Sequence, residues 1–391
     1  MSSVSQSHGT GLTAAQIAAV RAPLSRASLL PATVYSDPEI FRLEKERIFA
    51  RTWLPVCHIS QIREPGSFVS RQLAGEAIMA LRGREGEIRV MSNVCRHRNT
   101  TLVDGEGQCK GNRIICPYHG WTYGLDGQLL AAPFMDQAED FARREIKLPE
   151  FRHEVWHGFV FVNFDADAQS LAEQMVEFEP LVAPYRYEDM EAFEMRRSTV
   201  PWNWKISLEN FSEAYHQPWV HTNTAEKGFP AALAEYLDAN GPYSAFFLPE
   251  EKGEHIKTFT PPHADMPDAF LRRVMVFNVY PYMHALTDPA TPIFLDFNIK
   301  NENEHELVWH VLLPKGSSQK PDILDDVKLF GSFIEPVLLE DISVCTGVGR
   351  GVQSRFVTQG RLSHMEKPLH QFHNWWLDHM LVENSERIAA E

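Results

Sequence analysis

Four residues constrain the fold of this 391-residue chain more than any others: Cys95 and His97, then, after eighteen intervening residues, Cys116 and His119. Each short segment, Cys95-Arg96-His97 and Cys116-Pro117-Tyr118-His119, supplies one thiol and one imidazole. For the four to act together, the chain must set two turns side by side. Gly105, Gly107 and Gly120 suit such turns, because glycine takes backbone angles closed to other residues. A tetrahedral zinc site could use the same donors. Zinc fingers of that composition, however, place the two cysteines together and then the two histidines.

The partition found here lets both thiolates bind one iron and both imidazoles the other, the Rieske arrangement of a [2Fe–2S] cluster. Neutral histidine in place of thiolate removes negative charge and raises the reduction potential. The remaining cysteines, Cys57, Cys109 and Cys345, make an odd, sparse set with no disulfide framework. Cys109 reads as a buried free thiol, and Cys57-His58 as strand core.

A second constellation runs from Glu209 to His221, with Glu213, His216 and His221 in an E-x2-H-x4-H spacing. On an unbroken helix, histidines five apart point about 140° away from each other. Pro218 is expected to end or kink the helix, so that His221 swings round to His216. Glu213 and His216 lie three apart, within reach on one helix face. Two histidines and a carboxylate form the facial triad that holds non-haem Fe(II) and leaves positions open for O2. The third ligand is expected from a long helical stretch, residues 321–347, which carries Asp322, Asp325, Asp326, Glu335, Glu340 and Asp341. Spacing does not choose among them.

The surrounding pattern is α+β. Ser67–Leu73, Ala77–Leu81, Ile88–Asn93 and Val155–Phe164 read as short strands of a small antiparallel β domain, residues 45–165. Residues 1–44, an arm and helix expected to join the catalytic domain, hold a short helix at Ala14–Leu24 and the start of a helix at Pro38–Ala50. Residues 166–391 read as a larger α+β domain. Its helices are expected at Gln169–Glu179, Lys205–Gln217, Pro321–Gly347 (broken or kinked at Pro336) and Pro368–Ala389. Its strands are expected at Arg273–Tyr282, Ile293–Asn301 and Glu306–Leu313, in an antiparallel sheet flanked by helices.

With 52 acids against 37 Lys and Arg, the formal charge is −15, the wrong balance for a non-specific nucleic-acid or anionic-membrane binder. No run of eighteen apolar residues occurs, and Met1–His8 lacks the features of a signal peptide. A cytoplasmic protein with no membrane or nucleic-acid partner is the expectation.

Together these motifs resemble the alpha subunit of the Rieske non-haem iron ring-hydroxylating oxygenases. The resemblance rests on Cys95-Arg96-His97-Arg98, on Cys116-Pro117-Tyr118-His119-Gly120-Trp121-Thr122-Tyr123, and on Asn203-Trp204-Lys205 leading to Glu209-Asn210, Glu213, Tyr215-His216 and His221. Gly360-Arg361-Leu362-Ser363 to Phe372-His373-Asn374-Trp375 extends it toward the C-terminus. It implies a small all-β Rieske domain followed by a catalytic domain. Cys95, His97, Cys116 and His119 would bind the cluster, and His216, His221 and Asp341 (in Leu339-Glu340-Asp341) the mononuclear iron. Glu213 would bridge to a cluster histidine of a neighbouring subunit in a head-to-tail ring, commonly a homotrimer. Asn210 would be a polar residue near the iron.

The resemblance also implies O2 as co-substrate and electrons from NAD(P)H through a reductase or ferredoxin. Arg96, Arg98, Lys110 and Arg113 lie close to the cluster ligands in sequence and could form a positive patch that docks an acidic donor. Two departures from the family pattern stand out: Asn99 replaces a small residue, and Gly347-Val348-Gly349-Arg350 replaces the usual Glu and Gln after the iron aspartate. The expected activity is hydroxylation of a small organic substrate. The aromatic residues Phe246, Phe247, Phe277, Tyr280, Tyr282, Phe294 and Phe297 favour an aromatic one, whereas glutamate at 213 favours demethylation or hydroxylation of a quaternary amine such as a betaine. A Rieske electron carrier without a second iron, and a zinc-stabilised binding module, are the readings from other classes.

Overall fold

In the computed structural model, which describes residues 9–73 and 75–381, β-favouring runs between residues 54 and 163 form three small antiparallel sheets. Strands Ser67–Leu73, Glu76–Arg82 and Ile88–Ser92 make a meander, with Glu106–Gln108 added on the outer side of the first. Arg113–Ile115, Thr122–Gly124 and Leu129–Ala131 form the second sheet. In the third, Phe159–Asn163 lies between Leu54–His58 and Arg152–Trp156. The single strand expected at Val155–Phe164 is therefore a hairpin. His157 and Gly158 turn it with φ of 46° and 80°. A Cβ on Gly158 would lie 2.6 Å from His58 Nε2 and 3.0 Å from the Glu188 backbone, so no larger residue fits without movement.

The second half is built on a seven-stranded antiparallel sheet. Its order is Met190–Val200, Glu304–Pro314, Ile293–Asn301, Met283–Thr287, Arg273–Val279, Tyr243–Pro249 and Glu235–Tyr236. Three of these strands match the expected ones. Met190–Val200 escaped notice because this edge strand carries Glu191, Glu194, Arg196 and Arg197 and is largely half-exposed, which masks its apolar alternation.

The two faces of the sheet do different things. Phe277, Ala285, Phe294 and Leu312 pack with Trp156, Phe161 and Phe178. Leu295, Phe297, Leu307 and Trp309 pack instead with Ile206 and Leu208, from the helix that precedes the histidine motif, and with Leu338 and Cys345, from the helix that carries the carboxylates. All seven aromatic residues singled out from the sequence are buried in such clusters, at 3% exposure or less. They are core.

Several helices differ from expectation. Gln169–Glu179 becomes two single turns, Leu171–Gln174 and Glu179–Val182, the latter opened by Pro180. The long helix Ile323–Gly351 runs on through Pro336. That proline sits on the solvent side, while Val327, Phe330, Leu338 and Cys345 hold both halves against the protein. The expected Pro38–Ala50 helix is Pro38–Glu44 followed by a wider turn at Lys45–Phe49. Ala14–Arg21 starts with a reciprocal Thr13–Gln16 cap.

The last helix is Lys367–Met380; its expected continuation to Ala389, like the arm at Met1–His8, lies outside the described residues. The first described helix and the segment after it meet the last helix and the segment before it: Arg21 pairs with Asp378 at 2.5 Å, and Arg361 donates to the Ala27 carbonyl at 3.0 Å. Among the described residues, no helix is long and apolar enough to cross a membrane.

Candidate metal centres

The two Cys–His segments follow the strands Ile88–Ser92 and Arg113–Ile115, which belong to different sheets, and return as tight loops. Cys95 N–H donates to the Thr100 carbonyl and Asn99 N–H to the Cys95 carbonyl, at 2.9 and 3.0 Å. Gly120 N–H donates to the Cys116 carbonyl at 3.1 Å, and Gly120 takes φ of 70°. Asn99, the departure noted above, has φ of 57°, a left-handed angle that asparagine tolerates better than most residues.

The thiols point inward and the imidazoles outward. Cys95 and Cys116 are 0% and 3% exposed, whereas His119 is exposed and His97 half-buried. The two imidazole rings lie 4.7 Å apart, and His97 stacks on Trp121 at 4.9 Å. His97 Nδ1 is buried with no hydrogen-bond partner. Tyr123 Oη lies 3.3 Å from Cys95 Sγ and accepts the Arg96 N–H at 3.0 Å. Burial and the neighbouring Cys95 raise the Cys116 thiol pKa, a cost that a bound cation would reverse.

A single tetrahedral zinc would draw its four donor atoms to within about 4 Å of one another. No three of these four residues gather within 4.8 Å; among the described residues, one group alone does so, and it lies elsewhere. Thiols in one corner and imidazoles in another suit a two-iron cluster, not one zinc ion.

That other group is His216, His221 and Asp341. The helix expected at Lys205–Gln217 stops at Asn210, and a turn carries the chain to a second, single-turn helix, Gln217–Val220. Pro218 starts this second helix instead of ending the first. His216 and His221 flank the short helix, and their Nε2 atoms come within 3.2 Å. Asp341 Oδ1 lies 3.0 Å from His221 Nε2 and 3.4 Å from His216 Nε2.

Both Nδ1 positions are already committed. His216 Nδ1 faces Glu213 Oε1 at 2.6 Å, and His221 Nδ1 faces Glu340 Oε2 at 2.8 Å. With each Nδ1 proton drawn to a carboxylate, both imidazoles turn Nε2 toward Asp341 Oδ1, a buried oxygen without a well-formed hydrogen bond. These three donor atoms make a cradle for a cation, a proton when no metal ion is bound. The carboxylates favour a positive charge there. Burial opposes protonation of His216, yet Asp341 and Glu213 outweigh it and push its pKa up to about 10. Burial likewise opposes charge on Asp341, but the two histidines hold its pKa below the usual value.

The other sequence candidates separate clearly. Glu335 pairs with Arg196, Asp325 with Lys328, and Asp322 is exposed. Asn210 Oδ1 is buried without a partner, and its side chain bonds none of the three clustered residues. Glu213 reaches His216 across a turn, not along a helix face, and its Oε2 also accepts the His216 N–H at 3.0 Å. Arg96, Arg98, Lys110 and Arg113 are all exposed, with Arg98 bonded to Tyr118 Oη at 3.0 Å. The sequence motif includes Tyr123 but gives it no role, does not mark Thr224, and offers Glu340 only as a rival ligand. Thr224 Oγ1 donates to Glu340 Oε2 at 2.7 Å, which fixes the carboxylate that orients His221. The adjacency of Glu340 to Asp341 was the available signal.

Both halves of the chain are similar to known proteins. Residues 52–151 match the Rieske [2Fe-2S] domain, and residues 184–382, just over half of the chain, match the ring hydroxylating alpha subunit catalytic domain. The carnitine monooxygenase oxygenase subunit of Acinetobacter pittii is 35% identical over 198 residues, 50% of this chain and 53% of that protein. The chain thus spans about half the length of the carnitine monooxygenase subunits it matches. Chloroplastic choline monooxygenase of Arabidopsis thaliana is 28% identical over 371 residues, 90% of this chain and 82% of that protein. The structure of naphthalene 1,2-dioxygenase from Rhodococcus sp. bound to indole superposes with a TM-score of 0.77 at 21% identity, covering 91% of this chain and 95% of that one. The chain belongs to the family of ring-hydroxylating alpha subunits, with a Rieske [2Fe–2S] domain preceding the catalytic domain.

Proposed function

We propose that the chain is the oxygenase component of a Rieske system, using O2 and reductase-supplied electrons to oxidise a small quaternary amine. One observation carries the oxygenase reading over the electron-carrier reading: His216, His221 and Asp341 bring three ligand atoms together in the same chain as the paired Cys–His loops. When bound, the cluster supplies electrons singly and the mononuclear Fe(II) supplies O2 activation. Cys95 and Cys116 are assigned to one cluster iron and His97 and His119 to the other; His216, His221 and Asp341 are assigned to the mononuclear iron. Glu213 and Glu340 hold the two imidazoles in the tautomer that leaves Nε2 free. Residues 45–165 and 166–391 serve as the cluster and oxygenase halves.

Glu213 keeps acceptor capacity beyond its two bonds to His216, since a carboxylate offers about four lone-pair sites. It can therefore receive a histidine N–H from the cluster loop of a second copy, which supports a head-to-tail homotrimer. The exposed Arg96, Arg98, Lys110 and Arg113 suit an acidic electron donor.

For the substrate, the aromatic residues are consumed by the core and lend no weight to an aromatic ligand. Three carboxylates (Glu213, Glu340 and Asp341) against one divalent ion leave a net negative centre, which favours a cationic substrate. Hydroxylation of an aromatic compound is the second reading, supported by the fold shared with naphthalene 1,2-dioxygenase.

Iron and acid-labile sulfide analysis of anaerobically purified protein tests the two centres: about three irons and two sulfides per chain are expected. Two irons and two sulfides, unchanged by Fe(II) reconstitution, would leave an electron carrier. O2 uptake with carnitine and choline against naphthalene and indole, driven by a surrogate reductase, then separates the substrate classes.

A further outcome concerns the cluster. Tyr123→Phe removes the hydroxyl beside Cys95 Sγ and takes the acceptor from the Arg96 N–H. A hydrogen bond to a cluster sulfur stabilises the reduced state, so the potential is expected to fall. About 1 kcal/mol for the bond corresponds to roughly 40 mV for one electron. Redox titration of the cluster signal reads the shift, and an unchanged potential removes Tyr123 from this role.

A further inference from the structure

A row of directly opposed residues crosses four neighbouring strands: Asn278 faces His284, His284 faces Leu295, and Leu295 faces Trp309. Opposed residues project from the same side of a sheet. This side packs against the helix that leads into the His216 turn. Phe211, two residues before Glu213, lies over the row, with its ring 4.6 Å from His284 in a stacked arrangement and 5.6 Å from Trp309 edge-on.

A chain of hydrogen bonds fixes which nitrogen of His284 carries a proton. Ser212 Oγ–H donates to the Leu208 carbonyl at 2.5 Å, so its oxygen is free to accept. Asn278 Nδ2 donates to that oxygen at 2.9 Å. Asn278 Oδ1 is therefore the end that meets His284 Nδ1, at 3.0 Å, and Nδ1 must carry the hydrogen. Nε2 is left as a bare acceptor. It has no hydrogen-bond partner among the described residues, although His284 is only 3% exposed. Burial keeps the ring neutral, and the charge of Asp341 is near enough to act on it. In the same row, Trp309 Nε1 is a buried donor with no partner.

An acceptor and a donor left unmatched on an otherwise apolar wall are costly unless something pairs with them. We infer that His284 Nε2, beside Phe211, is the specificity-determining acceptor of a substrate subsite and takes a hydroxyl or N–H donor of the substrate. The inference deepens the oxygenase reading and rests on it for the identity of the ligand. It separates substrates that differ by a single hydroxyl. A site built to bond a hydroxyl disfavours the analogue lacking it, because its polar atom is then left unpaired.

The test uses two matched pairs on the holoprotein: choline against ethyltrimethylammonium, and benzyl alcohol against toluene. Ligand-observed NMR gives the affinities without any need for turnover. In at least one pair, the hydroxyl compound is expected to bind about 10-fold or more tightly. His284→Phe, which keeps the ring and removes the acceptor, is expected to bring the ratio within that pair close to one. His284→Gln, which restores an acceptor, recovers part of it and guards against a variant that misfolds. Equal affinities within both pairs for the wild type, or a ratio unchanged in His284→Phe, overturns the inference and leaves His284 a structural residue satisfied by water. Which pair binds reports on the substrate class, and iron content reports on the oxygenase assignment, so a failure of either reading is seen separately.

Discussion

Asp341→Asn is expected to empty the mononuclear site and leave the cluster intact. Total iron should fall from about three to about two per chain, with sulfide and the cluster spectrum unchanged. The side chain keeps its shape, so the change is one of charge. The aspartate oxygen sits 3.0 and 3.4 Å from two imidazole nitrogens whose other protons are already given to Glu213 and Glu340. An amide offers no anionic oxygen and can turn an N–H donor toward those lone pairs. Both effects oppose a cation.

Glu340→Gln acts one step further out. It weakens the orientation of His221 without removing a ligand, and Fe(II) affinity should fall about 10- to 100-fold. Equilibrium Fe(II) binding to the two variants checks the order. If Glu340→Gln releases more iron than Asp341→Asn, the two neighbouring acids have exchanged roles and the assignment of Asp341 fails.

That pair of acids also marks where sequence reasoning stopped. Residues 340 and 341 are adjacent, and on a helix they point about 100° apart. Which of them turns inward depends on how the helix Ile323–Gly351 sits on the sheet, and no local pattern encodes that. Burial decides it in the structure, where Asp341 is 7% exposed and Glu340 lies at the rim with Thr224. The Cys–His loops were legible because their donors lie within a few residues of each other and each loop is local. The pairing of His216 with His221 was legible for a partly mistaken reason: a proline was needed, but it opens a new helix instead of bending an old one.

Other features depend on distant contacts. Gly349, one of the departures after Asp341, lies where a Cβ would come within 2.7 Å of the Trp202 side chain. Its presence reflects close packing of the helix against residue 202, about 150 positions earlier in the chain. The edge strand Met190–Val200 and the tautomer chain behind His284 are likewise set by partners far away in sequence. Aromatic content pointed toward an aromatic substrate, yet large rings are also the most economical way to fill a two-sided sheet. Composition cannot separate the two uses. Burial can.

The largest loss of stability is expected from Glu44→Gln. Glu44 and Lys205 are both 0% exposed, and their charged groups meet at 2.6 Å. The carboxylate also accepts the indole N–H groups of Trp204 at 3.0 Å and Trp376 at 2.7 Å. Burial lowers the Lys205 pKa, and the Glu44 charge opposes that shift. Removing the carboxylate charge leaves an ammonium in a site walled by Tyr35, Trp204 and Trp376. Breaking a buried pair in this way costs about 3–5 kcal/mol, far more than the pair itself contributes.

The damage should reach the metal. Trp204 and Lys205 begin the helix Trp204–Asn210, and its far end is tied by Glu209 to Tyr35 at 2.6 Å and His373 at 2.9 Å. That helix delivers the turn bearing Glu213 and His216. Urea unfolding followed by tryptophan fluorescence should show the midpoint fall sharply, with mononuclear iron lost before the cluster. Glu44→Gln combined with Lys205→Met removes both charges and should recover most of the loss, because no unpaired ion remains. A loss in Glu44→Gln below about 1 kcal/mol, or no recovery in the double variant, would show that the pair is not the strut that holds this helix in place.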